Sequence, residues 1–129
     1  MNLPPISRRH FVKAAAAATA FYVLPSRGQA PAGGKVNLAL IGVGGQGGSI
    51  GKTFHTTGLA NIVALCDVDM GGKGTEELMK KFPDVPRFKD FRQMFDKMAD
   101  KIDAVTVGVP DHSHFPIAMQ AMALGKHVF

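Results

Sequence analysis

The chain has 129 residues, enough for one domain and no more. With 46% hydrophobic and 19% charged residues it is expected to pack a globular core rather than stay disordered, and no apolar run reaches the roughly 20 residues that a membrane-spanning helix needs. The net charge of +5 points to nucleic acid only until its distribution is read: Arg8, Arg9, Lys13 and Arg27 fall within residues 1–32, which hold no Asp or Glu, leaving eleven basic against ten acidic residues from Gly33 onward. The remainder carries no footprint for a phosphate polymer, so no nucleic-acid partner is expected.

Residues 1–32 read as a leader. Ser7-Arg8-Arg9-His10-Phe11-Val12-Lys13 precedes an Ala-rich apolar stretch from Ala14 to Leu24, too short to span a bilayer and suited to the core of a signal peptide. The segment resembles the twin-arginine export signal, with Val12 where Leu is usual. The resemblance implies the twin-arginine export machinery as a partner and a periplasmic or otherwise exported protein. Ala30-Pro31-Ala32 offers a cleavage site before Gly33, with an uncut helical anchor as the alternative.

The rest alternates between two periodicities. Lys35 to Ile41 is an apolar, β-branched run, as expected of a strand buried on both faces. A glycine-rich turn from Gly42 to Gly48 follows, then a helix with Ile50 and Phe54 on one face and Gly58 at its close. Asn61 to Asp67 predicts a second strand. Its Cys66, the one cysteine of the chain, can form no internal disulfide and reads as a small core residue. Thr75 to Phe82 predicts a helix with Leu78, Met79 and Phe82 inward and Lys80 and Lys81 outward. Pro83 and Pro86 bracket a break before a short strand at Arg87-Phe88. Asp90 can cap a helix whose Phe91, Met94, Phe95 and Met98 recur at i, i+3, i+4 and i+7, a core-facing stripe. Ala104 to Val109 predicts a fourth strand. Pro116 marks the first turn of a further helix with Ile117, Ala121 and Leu124 inward and Gly125 at its end, and His127-Val128-Phe129 begins a fifth strand. This order predicts an α/β fold with a doubly wound, Rossmann-like parallel sheet, truncated at the fifth strand, with residues 33–129 forming an incomplete dinucleotide-binding domain.

Gly42-Val43-Gly44-Gly45-Gln46-Gly47 fits G-x-G-x-x-G between a predicted strand and a predicted helix, the context that gives the pattern meaning. Gly42 permits the tight turn, Gly44 lets backbone approach a pyrophosphate, and Gly47 lets helix and strand pack closely, while the helix N-terminus offers unpaired N–H groups. Asp67 lies 25 residues after the first glycine, near the expected spacing of about 20, at the end of the next strand. A carboxylate there accepts from ribose hydroxyls and repels a 2′-phosphate. With no basic residue beside it in the sequence, the expected cofactor is NAD, with NADP disfavoured. Asp111-His112-Ser113-His114 follows the fourth strand, in a loop expected to border the cofactor. Two histidines without a third ligand do not make a zinc site, so no metal is expected.

These segments, with Ala64 to Asp69, Asp103 to His114 and Ala121 to Phe129, resemble the Gfo/Idh/MocA family of oxidoreductases from Lys35 to Phe129. The resemblance implies an NAD-dependent oxidoreductase acting by hydride transfer on a small carbohydrate, a sugar or polyol, and forming a homo-oligomer at full length. Alternatives are an NAD-dependent glycosidase of the same family, or a non-catalytic nucleotide-binding protein. It places the turn from Gly42 to Gly47 at the pyrophosphate, Asp67 at the adenosine ribose, Pro110 and Asp111 near the nicotinamide, and His114 at the edge of the cleft. It also implies that the catalytic residues, a Glu-Lys-Pro lysine and a histidine of a second domain, lie beyond Phe129, and that this piece alone is inactive.

Overall fold

The computed structural model describes residues 34–129; the leader lies outside the described residues. Five parallel strands form one sheet: β1 (Val36–Ile41), β2 (Ala60–Cys66), β3 (Arg87–Phe88), β4 (Ala104–Val107) and β5 (His127–Val128), in the spatial order β3-β2-β1-β4-β5. The chain winds outward from β1 to one edge, then returns to build the other, so the order reverses between β1 and β4. The helices are α1 (Gly45–Thr56), α2 (Glu76–Lys81), α3 (Phe91–Met98) and α4 (Asp111–Ala123), with a 3-10 turn at Ala99–Lys101.

Strand alternation divides the core. Leu38 and Leu40 of β1 join Ile62 and Leu65 of β2 under α1 and α2, where Leu78 and Phe82 complete the layer. Ala39 and Ile41 face the opposite way, with Ala64, Cys66, Val105 and Val107, and meet Met94 and Phe95 of α3 and Ile117 and Ala121 of α4. Both faces of the central strands are therefore apolar, which explains why their sequences read as near-continuous hydrophobic runs. The doubly wound parallel sheet matches the expectation from the alternating pattern.

Three local expectations are corrected. The fourth strand ends at Val107 rather than Val109: Gly108 N–H still donates to the Ile41 carbonyl at 2.8 Å, but Gly108 then comes against the backbone of Gly42 and Gly47. Helix α4 starts at Asp111, with Pro110 at its N-cap, so Asp111 to His114 is a helical turn rather than a loop. The first turn closes by Ser113 N–H donating to the Pro110 carbonyl at 2.9 Å. Pro116 then sits inside the helix and forgoes only the bond an N–H there would make to His112. Leu124 is the C-cap of α4 and is exposed at 42%, so only Ile117 and Ala121 form the buried face.

Candidate functional site

The C-terminal ends of β1, β2 and β4 surround a cleft of about 540 Å³ at the point where strand order reverses, the place where open α/β sheets take ligands. Its wall on the β1–α1 side is built from backbone. Gly42 has φ +78°, and a Cβ there would lie 2.3 Å from the Gly108 carbonyl oxygen. A Cβ on Gly47 would lie 2.0 Å from the Gly42 carbonyl oxygen, and one on Gly108 2.5 Å from Gly47 Cα. Three backbones thus meet without side chains between them. Gly44 differs: a Cβ there would have no neighbour closer than 3.9 Å, so the chain itself does not require glycine at this cleft-lining position.

Helix α1 begins at this turn. It has 12 residues and no acid in its first turn, and the N–H groups of its first residues have no intrahelical acceptor. The positive end of its dipole is met from outside by Asp67, half-buried at the end of β2. Its Oδ2 accepts from Val43 N–H at 2.8 Å and Gly44 N–H at 3.3 Å, and its Oδ1 accepts from Asp69 N–H at 2.9 Å. The carboxylate therefore fastens the glycine turn to the β2 end. Val43 points its side chain into the core at 1% exposure, so only its backbone reaches the site.

Of the residues singled out from the sequence, Gly42, Gly44, Asp67 and Pro110 line the cleft together. Gly45 (φ +47°) and Gln46 are exposed on the first turn of α1, and Gly47 is buried against Gly42. Asp111 is exposed in the first turn of α4, with its charge toward the positive end of that helix. His114 does not line the cleft: its Nε2–H donates to the Val109 carbonyl at 2.7 Å, which ties the start of α4 to the strand end. The neighbours His112 and Ser113 line the cleft instead, with Pro116 and Ile117.

Other lining residues escaped the sequence reading. Cys66 is on the floor at 3% exposure, and burial, reinforced by the carboxylates of Asp67 and Asp90, pushes its thiol up to about 12, so it stays protonated and unreactive at neutral pH. Lys89, Phe91 and Arg92 form the wall beyond β2. The expectation that Asp67 has no basic neighbour holds along the chain, but β3 pairs with β2 and Lys89, the residue after β3, lines the same cleft as Asp67. The signal was available only through the register of a two-residue strand. Among the described residues no group of three or more His, Cys, Asp or Glu lies together as a metal site.

Comparison with known proteins agrees with this arrangement. Residues 36–129 match the Gfo/Idh/MocA oxidoreductase family, NAD-binding Rossmann fold. A glycosyl hydrolase family 109 protein of Stenotrophomonas maltophilia is 33% identical over 95% of this chain and 29% of its own length. An alpha-N-acetylgalactosaminidase of Shewanella oneidensis is 31% identical over 96% of this chain and 33% of its own. The chain thus spans about a third or less of the curated relatives it matches. Among solved structures, a dehydrogenase from Chromobacterium violaceum superposes with a TM-score of 0.65 at 25% identity, covering 74% of this chain and 27% of that one. Scyllo-inositol dehydrogenase from Lactobacillus casei, solved with NAD(H) and scyllo-inositol, gives 0.55 at 29% identity, covering 74% and 27%. By its five-stranded parallel sheet, its glycine turn and its match over residues 36–129, the chain belongs to the Gfo/Idh/MocA family of oxidoreductases and carries that family's NAD-binding Rossmann fold.

Proposed function

We propose that residues 34–129 hold NAD(H) for a carbohydrate-directed oxidoreductase. The observation that carries this reading is the β1–α1 turn: unpaired N–H groups at the head of a 12-residue helix, beside a cleft, with a glycine at position 44 that the chain's own packing does not demand. The space a Cβ on Gly44 would take is where a pyrophosphate would come against the backbone. Gly42 to Gly47 would hold the pyrophosphate. Asp67 would orient the turn and accept from the adenosine ribose, favouring NAD over NADP. Pro110, His112 and Ser113 would shape the nicotinamide side, with His114 holding the start of α4 in place. When bound, the nicotinamide supplies a hydride acceptor, the chemistry that side chains lack.

A sugar or polyol as substrate is supported by the structural neighbours, which include D-galactose-1-dehydrogenase of Rhizobium etli at 25% identity and the scyllo-inositol enzyme. A second reading has its own support. Relatives at 31–33% identity bear glycosidase names, which fits a whole protein that oxidises a sugar transiently and cleaves its glycosidic bond. One assay on the full-length protein separates them. A dehydrogenase accumulates reduced nicotinamide in step with substrate oxidised, whereas a transient oxidation releases the aglycone of a nitrophenyl N-acetylgalactosaminide with no net reduction of NAD. Failure to bind NADH in a fluorescence titration would remove both readings.

We further propose that residues 1–32 are a twin-arginine export leader of a periplasmic protein. Residues 33–129 make up only about three quarters of the chain, so the 95% match to the Stenotrophomonas relative extends into the leader. Replacing Arg8 and Arg9 by Lys should hold the full-length protein in the cytoplasm on fractionation; unchanged export would overturn the assignment.

A further inference from the structure

We infer that Lys89 sets how strictly the cleft separates the two nicotinamide dinucleotides, and that the cleft accepts NADP(H) alongside NAD(H). The inference rests on the dinucleotide reading above. Strand β3 pairs in parallel with β2, Cys66 opposite Phe88, and Asp67 N–H donates to the Phe88 carbonyl at 3.0 Å. Asp67 and Lys89 are the next residues after this last pair, so each leaves its strand at the same end of the sheet. Both residues line the cleft.

The two side chains are committed very differently. The Asp67 carboxylate already accepts from three backbone N–H groups, those of Val43, Gly44 and Asp69, and is turned toward the glycine turn. Lys89 has no carboxylate within salt-bridge distance among the described residues, where the ion pairs engage Lys52, Lys80 and Arg92. Arg92 adds a second cation to the same wall, its guanidinium 4.4 Å from the Phe91 ring centroid and 3.5 Å from Asp90 Oδ1. The Asp69 carboxylate packs against Gly72 and does not line the cleft. A phosphate on the ribose 2′-oxygen next to Asp67 would therefore meet a carboxylate whose charge is shared with three donors, and an ammonium with no other anion to hold. Asp67 still gives NAD the advantage, but Lys89 keeps that advantage small.

The test titrates the full-length protein with NADH and with NADPH, followed by nicotinamide fluorescence, for the unmodified protein and for Lys89→Met and Lys89→Arg. Unmodified protein should bind NADPH within about tenfold of NADH, the scale of one charge-assisted hydrogen bond offsetting another. Lys89→Met should weaken NADPH by on the order of tenfold more than it weakens NADH, because only the phosphate loses a charged donor. Lys89→Arg, which keeps the charge, should retain NADPH binding. Rejection of NADPH by more than about tenfold in the unmodified protein overturns the inference and leaves the NAD(H) reading standing. Equal weakening of both dinucleotides by Lys89→Met would give Lys89 a merely structural role and also overturn it. If neither dinucleotide binds, the cofactor reading falls and the inference falls with it.

Discussion

Helix α1 meets the sheet through Gly47, Gly48 and Gly51, whereas α3 meets it from the other side through Met94 and Phe95. On α3, two large side chains are buried at 0% and 2% exposure, each contributing about 2 kcal/mol of hydrophobic transfer. On α1, a Cβ at Gly48 would come 2.5 Å from the Val43 carbonyl oxygen, and one at Gly51 2.4 Å from Leu40 Cδ1. Each helical glycine costs about 1 kcal/mol relative to alanine. The contrast separates two tasks: α3 stabilises the sheet, and α1 gives up stability so that backbone can reach backbone where the cleft opens.

Substitutions in the full-length protein can break that contrast. Gly47→Val has the largest expected effect, because its Cβ collides with the Gly42 carbonyl and no side chain there can move aside. We expect a loss of about 4 kcal/mol or more in urea unfolding, with dinucleotide binding abolished. A variant that folds and binds normally would show that the three-glycine contact is dispensable.

Phe95→Ala should cost about 3–5 kcal/mol through the cavity it leaves, yet the folded fraction should bind NADH with unchanged affinity, since Phe95 lies outside the cleft lining. Altered affinity would mean that the supporting face and the binding face are coupled.

Asp90 is the N-cap of α3, its side chain accepting from Arg92 N–H at 2.9 Å, so Asp90→Ala should cost about 1 kcal/mol by the same measurement. The smallest effect concerns pH. The Cys66 thiol ionises near its ordinary 9.0 when unfolded but only near about 12 when folded. Its contribution is fully present below pH 9 and is lost as pH rises toward 12, where the unfolded state alone releases the proton. Cys66→Ala should flatten that alkaline decline, and the native thiol should resist iodoacetamide at pH 8 until the protein unfolds.

The same contrast explains what was legible in the sequence. Side-chain periodicity wrote α3 and the central strands plainly, and the glycine turn was legible because its spacing has few other uses. The sheet-facing side of α1 left only Ile50 and Phe54 to read, because its fully buried positions are Gly47, Gly48 and Gly51. The start of α4 was misplaced because Pro116 looked like a first-turn residue, while Pro110 and the bond from Ser113 N–H had already opened the helix. Within the site, Asp67 was found from its distance along the chain. Lys89 could be found only once β3 was in register with β2, since local sequence carries no record of lateral strand pairing.

The meeting of Gly42, Gly47 and Gly108 has one more consequence. Three backbones in mutual contact have no rotamers to exchange, so the junction stays the same with or without a ligand. Its conformational entropy is surrendered once, during folding. An anion arriving at the head of α1 therefore meets amides that are already aimed, and the association needs no ordering step at that point. The paired amides of Gly42 and Gly108 should then give the same hydrogen-exchange protection before and after a dinucleotide binds, whereas the unpaired amides at the head of α1 should exchange fast when free and slow once a phosphate accepts from them.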